Sequence, residues 1–146
     1  MKDSLTLVIP GTPVGKGRPR FAKRGNYVQI YTPDKTKAYE AQIIGVWSKA
    51  GGKKAPDGAA IHAVIMAGFP IPKSKSKKAR EAMKAGKVPY ISKPDLDNIA
   101  KCCLDAINGL AYKDDSQIVS LVVSKCYVEE PHCMIHLAWE VDDGGV

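Results

Sequence analysis

The 146-residue chain has no long apolar run, and that absence does the first sorting. No hydrophobic stretch approaches the roughly 20 residues needed to cross a bilayer, so no membrane partner is expected. Met1-Lys2-Asp3 leads straight into a short strand-like stretch, without the apolar core or small-residue cleavage site of a signal peptide. A cytoplasmic protein is expected. The four cysteines form neither a C-x-x-C motif nor a disulfide framework. Cys102 and Cys103 are adjacent on one helix, where a mutual bond would be strained, so reduced and mostly buried thiols are expected. Cys126, Cys133, His132 and His136 have a spacing that matches no standard zinc pattern. Internal repeats, heptads, a nucleophile elbow and a nucleotide-binding glycine loop are all missing. Gly15-Lys16-Gly17 lacks the spacing and following helix of a phosphate-binding loop. Acids are in the minority, 15 against 22 Lys plus Arg, for a formal net charge of +7. With a pI near 9.2, the chain suits an anionic partner without identifying one.

What is present reads as one domain over residues 1–146. Hydrophobic residues at 45% and charged residues at 25% are ordinary for a globular chain of this length. Leu5 to Ile9 reads as a first strand ended by Pro10-Gly11-Thr12-Pro13. Arg18 to Phe21 and Tyr27 to Tyr31 read as the arms of a hairpin, with Phe21 and Tyr31 expected to join the core. Thr32-Pro33-Asp34 has the N-cap, proline and acid of a helix start. Tyr39, Ile43, Val46 and Trp47 form that helix's buried stripe. Ala59 to Phe69 is a strand in which His62 is expected to be structural. Ser76 to Ala85 is a short helix with a thin apolar face. Gln117 to Val128 is apolar on both faces and is expected at the centre of the sheet. Glu129-Glu130-Pro131-His132 is expected to turn it back into Met134 to Val141 as an antiparallel hairpin, before a fraying tail at 142–146. The expected fold class is α+β, two layers, with a mixed β-sheet and helices packed mainly on one face.

Positive charge is concentrated in two places. Lys16, Arg18, Arg20, Lys23 and Arg24 mix with aromatics near the N-terminus, as on surfaces that grip a nucleic-acid backbone and stack on bases. Lys73, Lys75, Lys77, Lys78, Arg80, Lys84 and Lys87 form the second cluster. Either could be a solvated lysine face.

The acids gather between the two halves of the apolar pattern. Lys93-Pro94-Asp95-Leu96-Asp97-Asn98-Ile99-Ala100-Lys101 opens an amphipathic helix whose stripe is Leu96, Ile99, Cys103, Ala106 and Ile107. Asn108-Gly109 stops it, with Gly109 free to take the left-handed cap conformation. Asp95 is the natural N-cap and Asp97 lies in the first turn. A capped surface helix with an Asp97–Lys101 pair would be worth a few tenths of a kcal/mol. A second acidic pair, Asp114-Asp115, lies in a turn before the strongest strand. With these acids set in a basic chain, a phosphodiester substrate is the reading they suggest.

The ordered set K-P-D-L-D-N-x-x-K, D-A-I-N-G and K-D-D-S-Q-I, over roughly residues 93–119, resembles the RusA family of Holliday junction resolvases. Pro10-Gly11-Thr12-Pro13 and Lys16-Gly17-Arg18-Pro19-Arg20-Phe21 look like that family's start. The resemblance implies a homodimeric, magnesium-dependent endonuclease of bacteria or phages, nucleoid-associated or prophage-encoded, that cuts branched DNA (four-way junctions) in recombination and repair. Carboxylates held together repel one another and a phosphate, and a divalent cation relieves both. Mg2+ is the expected ion, with Mn2+ able to substitute. Asp95, Asp97 and Asp115 are expected as metal ligands, with Asp114 a ligand or a neighbour of one. Lys101 is expected to hold phosphate or stabilise charge in the transition state. Asp105 is either a supporting group or a solvated helix residue. Lys16, Arg18, Arg20, Lys23, Arg24, Lys73, Lys75 and Lys93 are the expected DNA contacts. Tyr90 and Tyr112 could open the junction or simply pack. Two other readings stay open: a non-catalytic module for structured nucleic acid, and a metal nuclease for flapped or single-stranded DNA.

Overall fold

The computed structural model describes residues 1–31 and 33–141. Thr32, expected as a helix N-cap, and the tail 142–146 lie outside the described residues. The elements run β1 (Lys2–Pro10), β2 (Arg20–Arg24), β3 (Tyr27–Tyr31), α1 (Asp34–Lys49), β4 (Ile61–Pro70), α2 (Lys77–Lys84), α3 (Leu96–Ile107), a 3-10 turn (Asp115–Gln117), β5 (Ile118–Val128) and β6 (His132–Glu140). This is the expected α+β class.

Four strands form one mixed sheet in the order β1-β6-β4-β5, and β2 and β3 form a separate two-stranded sheet. β4 and β5 are parallel, whereas β6 is antiparallel to both β1 and β4. Side chains alternate across a strand, so register decides which residues meet. Leu7 pairs with Ile135, Ile135 with Ile65, and Ile65 with Val123, one apolar row across all four strands. On that face Leu7, Ile65 and Ile135 are buried beneath Tyr39 and Ile43 of α1 and Ile99, Cys103 and Ile107 of α3. Burying each such side chain stabilises by about 1.5–3 kcal/mol. The other face is more open. There Val8 is largely exposed, His62 Nδ1 lies 2.6 Å from Ser120 Oγ, and His136 Nδ1 lies 2.7 Å from Thr6 Oγ1.

Two expectations about the C-terminal strands are overturned. β5 is an edge strand rather than a central one, and it forms no hairpin with β6. The chain leaves β4, passes through α2 and α3, and returns parallel to β4, placing β5 on β4's outer side. β6 then crosses to the other side of β4. Its strict alternation of Cys133, Ile135, Leu137 and Trp139, all buried, fits a strand covered on one face and paired on both edges. β5's apolar residues on both faces instead leave Val119 and Val122 each 60% exposed and Leu121 43% exposed.

Candidate functional site

The backbone leading into α3 is fixed from three directions. Lys125, the lone charge in β5, donates from Nζ to the carbonyls of Ser92 at 2.9 Å and Pro94 at 3.2 Å. The Tyr90 hydroxyl donates to the Lys93 carbonyl at 2.9 Å. Its ring stacks on Phe69 with centroids 4.1 Å apart and meets Tyr127 edge-on at 5.0 Å. From the third side comes the stretch after β1. Lys16 N–H donates to the Asn98 carbonyl at 2.8 Å. A Cβ on Gly15 would come within 2.6 Å of Pro94 Cβ, so only glycine allows that approach. The Lys93–Pro94 peptide bond is cis.

Asp95 occupies the N-cap of α3 with extended backbone, φ −71 and ψ 155, but its carboxylate makes no capping hydrogen bond. The helix therefore starts at Asp95 without engaging its side chain. Asp97, in the first turn, is exposed. The Asp97–Lys101 pair does not form. Lys101 Nζ lies 3.6 Å from Asp105 instead. Asp105 also lies 3.4 Å from Lys16, which pairs with Glu40 at 2.8 Å. Burial alone would lower the Lys16 ammonium, but pairing with Glu40 and Asp105 outweighs it and leaves its pKa raised. Lys16, expected at DNA, is thus tied between α1 and α3. Asp105 belongs to the same ionic cluster.

The second acidic pair sits at the far end of α3. Gly109, φ +81, follows the helix as expected. Tyr112 is fully buried and its hydroxyl donates to the Leu104 carbonyl at 2.7 Å. Burial, with the nearby Asp115 and Asp105 charges, pushes its pKa above the usual phenol value. Asp114 caps the 3-10 turn by accepting from Ser116 N–H at 3.1 Å. The hydrogen bonds from Ser116 hold its carboxyl below the usual value. Gln117 completes the turn, accepting from the Lys113 and Asp114 N–H groups and donating to the Pro56 and Ala59 carbonyls. Asp115 is exposed beside it.

The four acids therefore do not converge within one chain. A 12-residue helix is about 18 Å long, and Asp95 and Asp115 flank its opposite ends. β5 gives the same answer, because the ten residues from Asp115 to Lys125 span about 25–30 Å. Among the described residues, no three His, Cys, Asp or Glu side chains are grouped to hold a metal ion. The cysteines are free thiols, and burial pushes Cys102 up to about 12.

The basic residues divide as well. Arg18, Lys23 and Arg24 are exposed on or beside a hairpin that holds itself apart. Phe21 is 70% exposed, and Tyr27 and Ile30 are similarly open. The expected burial of Phe21 does not occur, because β2 and β3 pair only with each other and leave the arm no face to pack on. Lys73, Lys75 and Lys93 are exposed, while nothing is described of the Arg20 side chain. Tyr90 and Tyr112 are both engaged in packing and backbone hydrogen bonds. Sequence reasoning missed Lys125 and Gln117, the side chains that anchor the two ends. A single lysine within an otherwise uncharged strand was the available signal for the first.

No helix among the described residues is long and apolar enough to cross a membrane. The chain is similar to the uncharacterized protein YqaN of Bacillus subtilis (strain 168), 38% identical over 131 residues that cover 88% of this chain and 92% of that protein. Residues 10–138 match the family described as Endodeoxyribonuclease RusA. That span runs from the end of β1 into β6 and includes both acidic pairs and both anchors, so the chain belongs to the RusA endodeoxyribonuclease family.

Proposed function

We propose that the protein is a magnesium-dependent endonuclease that resolves four-way DNA junctions as a homodimer, by paired symmetric cuts. The observation that carries this reading is Asp95 and Asp97 on a backbone fixed from three sides, with the Asp95 carboxylate left free by the helix it caps. Mg2+ prefers carboxylate and water oxygens and usually takes one or two protein carboxylates. Two exposed aspartates at one helix start fit that demand, and the same oxygens suit Mn2+. When bound there, the ion would polarise the scissile phosphate and activate a water. Asp95 and Asp97 would hold it. Lys101, on the same helix and 62% exposed at its side chain, would meet the phosphate. Arg18, Lys23, Arg24 and Lys93 would grip the flanking backbone, with Phe21 and Tyr27 offering faces to bases.

The distance to Asp115 is the second reason for reading a dimer. β5 leaves an apolar edge, and no charge or proline protects residues 118–124 against pairing with another strand. A two-fold axis near Ser120 and Leu121 would lay two copies of β5 antiparallel, the start of one beside the end of the other. The partner's Asp115 would then stand level with Lys125, which holds Pro94 next to Asp95. Each of two sites would draw acids from both chains, and each would make one of the two cuts.

The test is cleavage of a labelled four-way junction, a flap and a linear duplex, with Mg2+ or with EDTA. The native protein should cut the junction only with the metal. Asp95→Asn and Asp115→Asn should each be inactive alone. Mixed and re-equilibrated, they should regain single nicks, because one site in each mixed dimer has all its acids. Cutting by either variant alone removes that residue from the mechanism, and a mixture that stays inactive overturns the shared site.

A further inference from the structure

We propose that the groove between α2 and the ends of β4 and β5 is a second binding site for the phosphodiester backbone of nucleic acid. It holds an arm of the substrate while the acids act elsewhere on it. The inference rests on nucleic acid being the ligand, as above, but not on its being cut.

The groove is open and measures about 520 Å³. Pro70, Ile71 and Pro131 contribute apolar surface, and Lys73, Lys77, Arg80 and Lys84 contribute the cations. Lys77, Arg80 and Lys84 stand at steps of three and four residues, which places them along one face of α2. Met83 supplies the helix's buried contact. A helix of eight residues with a single buried side chain presents most of its surface outward, and here that surface is cationic.

Acids are present too, and they set which cations are available. Glu129 pairs with Lys84 at 2.8 Å, and that pairing raises the Lys84 pKa. Glu81 lies on the same lining. Among the described residues, Lys73, Lys77 and Arg80 make no ion pair. Three open cations beside apolar surface match a strand whose phosphates are anionic and whose sugars are not. The opening of Glu129 and Lys84 would extend the row to four.

The groove's place in the fold points the same way. Pro70 and Val128 are the last pair of the parallel β4–β5 ladder. Lys125, which holds Pro94, lies three residues before Val128, roughly 10 Å along the strand. The groove and Asp95 thus share the end of the sheet where both parallel strands finish, the usual location of ligand sites beside such strands. Tyr90, stacked between them on Phe69, joins the groove region to the α3 start.

The test reads binding without cleavage. Anisotropy of a labelled four-way junction is measured in EDTA from roughly 50 to 200 mM salt, where each phosphate contact adds about 0.9 to the slope of log affinity against log salt. The double variant Lys77→Ala/Arg80→Ala should lower the slope by about 2 and weaken binding at least tenfold at the upper salt. Lys73→Ala, outside the helix, should lower it by about 1. Lys49→Ala, on the exposed end of α1, serves as the control and should leave it unchanged. An undiminished slope in folded Lys73→Ala and double-variant proteins overturns the groove, and would redirect it toward an acidic peptide. If the double variant does not fold, Lys73→Ala decides alone. A native protein that binds but does not cut, with a groove-dependent slope, keeps this inference and removes the nuclease. One that cuts, with a groove-independent slope, does the reverse.

Discussion

At the N-terminal end of α3, Asp95 and Asp97 stand on backbone held by Lys125, Tyr90 and the approach of Gly15. At the other end, Asp114 is itself part of the scaffold, accepting from Ser116 while Gln117 ties the turn to Pro56 and Ala59. Both ends are acidic, exposed and next to a fixed turn, yet their carboxylates do different things. Groups other than the acids, the Lys125 ammonium and the Tyr90 hydroxyl among them, hold the first pair's backbone and leave its charges open. At the second pair, one of the two charges closes the turn. An acidic motif therefore identifies chemistry only when something other than the acids shapes the chain around it.

That contrast can be broken by substitution. Asp97→Asn should reduce junction cleavage by about a thousandfold or more, the several kcal/mol attributed to metal-assisted charge stabilisation. Asp114→Asn should leave most activity in the same assay. Equal losses would erase the distinction between the two ends. Val122→Lys places a charge on the open edge of β5 and should give monomers by sedimentation at micromolar concentration, with cleavage lost in parallel. An active monomer would confine the chemistry to one chain.

The anchors come next in size. Gly15→Ala pushes a methyl against Pro94 and Asn98 and should destabilise by about 1–3 kcal/mol, as overpacking does. Calorimetry should show this as a fall of roughly 3–8 °C in Tm. Lys125→Met removes two carbonyl partners, and should destabilise by about 1–2 kcal/mol while raising the Mg2+ concentration needed for cleavage. Gln117→Ala should cost similar stability without that change in metal demand. The smallest effect concerns acid. Asp114 has its folded pKa depressed below the ordinary 3.8 by the Ser116 hydrogen bonds, so its contribution is present above 3.8 and is lost as pH falls through the lowered value. The stability difference between native protein and Asp114→Ala should hold at pH 6 and shrink below pH 4. A constant difference would place the role of Asp114 outside its charge.

The sequence was most legible where local chemistry decides the structure. Ser76 caps α2, accepting from Ala79 N–H, and Gly109 ends α3. Periodicity located Tyr39 and Ile43 of α1 and Ile99, Cys103, Ala106 and Ile107 of α3, all buried, whereas Leu96 at the start of the α3 stripe is exposed and Val46 and Trp47 are half-buried. It failed at β5, because residues apolar on both faces fit an edge strand as well as a strand at the centre of the sheet. Local spacing also failed at Lys101. Asp97 and Asp105 are each four residues away, and it is Asp105, which also pairs with Lys16 from another segment, that attracts it. The hairpin itself was legible, but its separation from the main sheet was not, for a similar reason. Phe21 has the composition of a core residue, but the strands that might have covered it pair elsewhere.

The bonds from Lys125 to the carbonyls of Ser92 and Pro94 give the edge strand a mechanical role. Any partner that straightens, twists or stiffens β5 also moves the peptide units just ahead of Asp95. If the proposed dimer forms through β5, assembly and carboxylate placement are one event, and dilution that separates the two copies would cost alignment at Asp95 before it cost the fold.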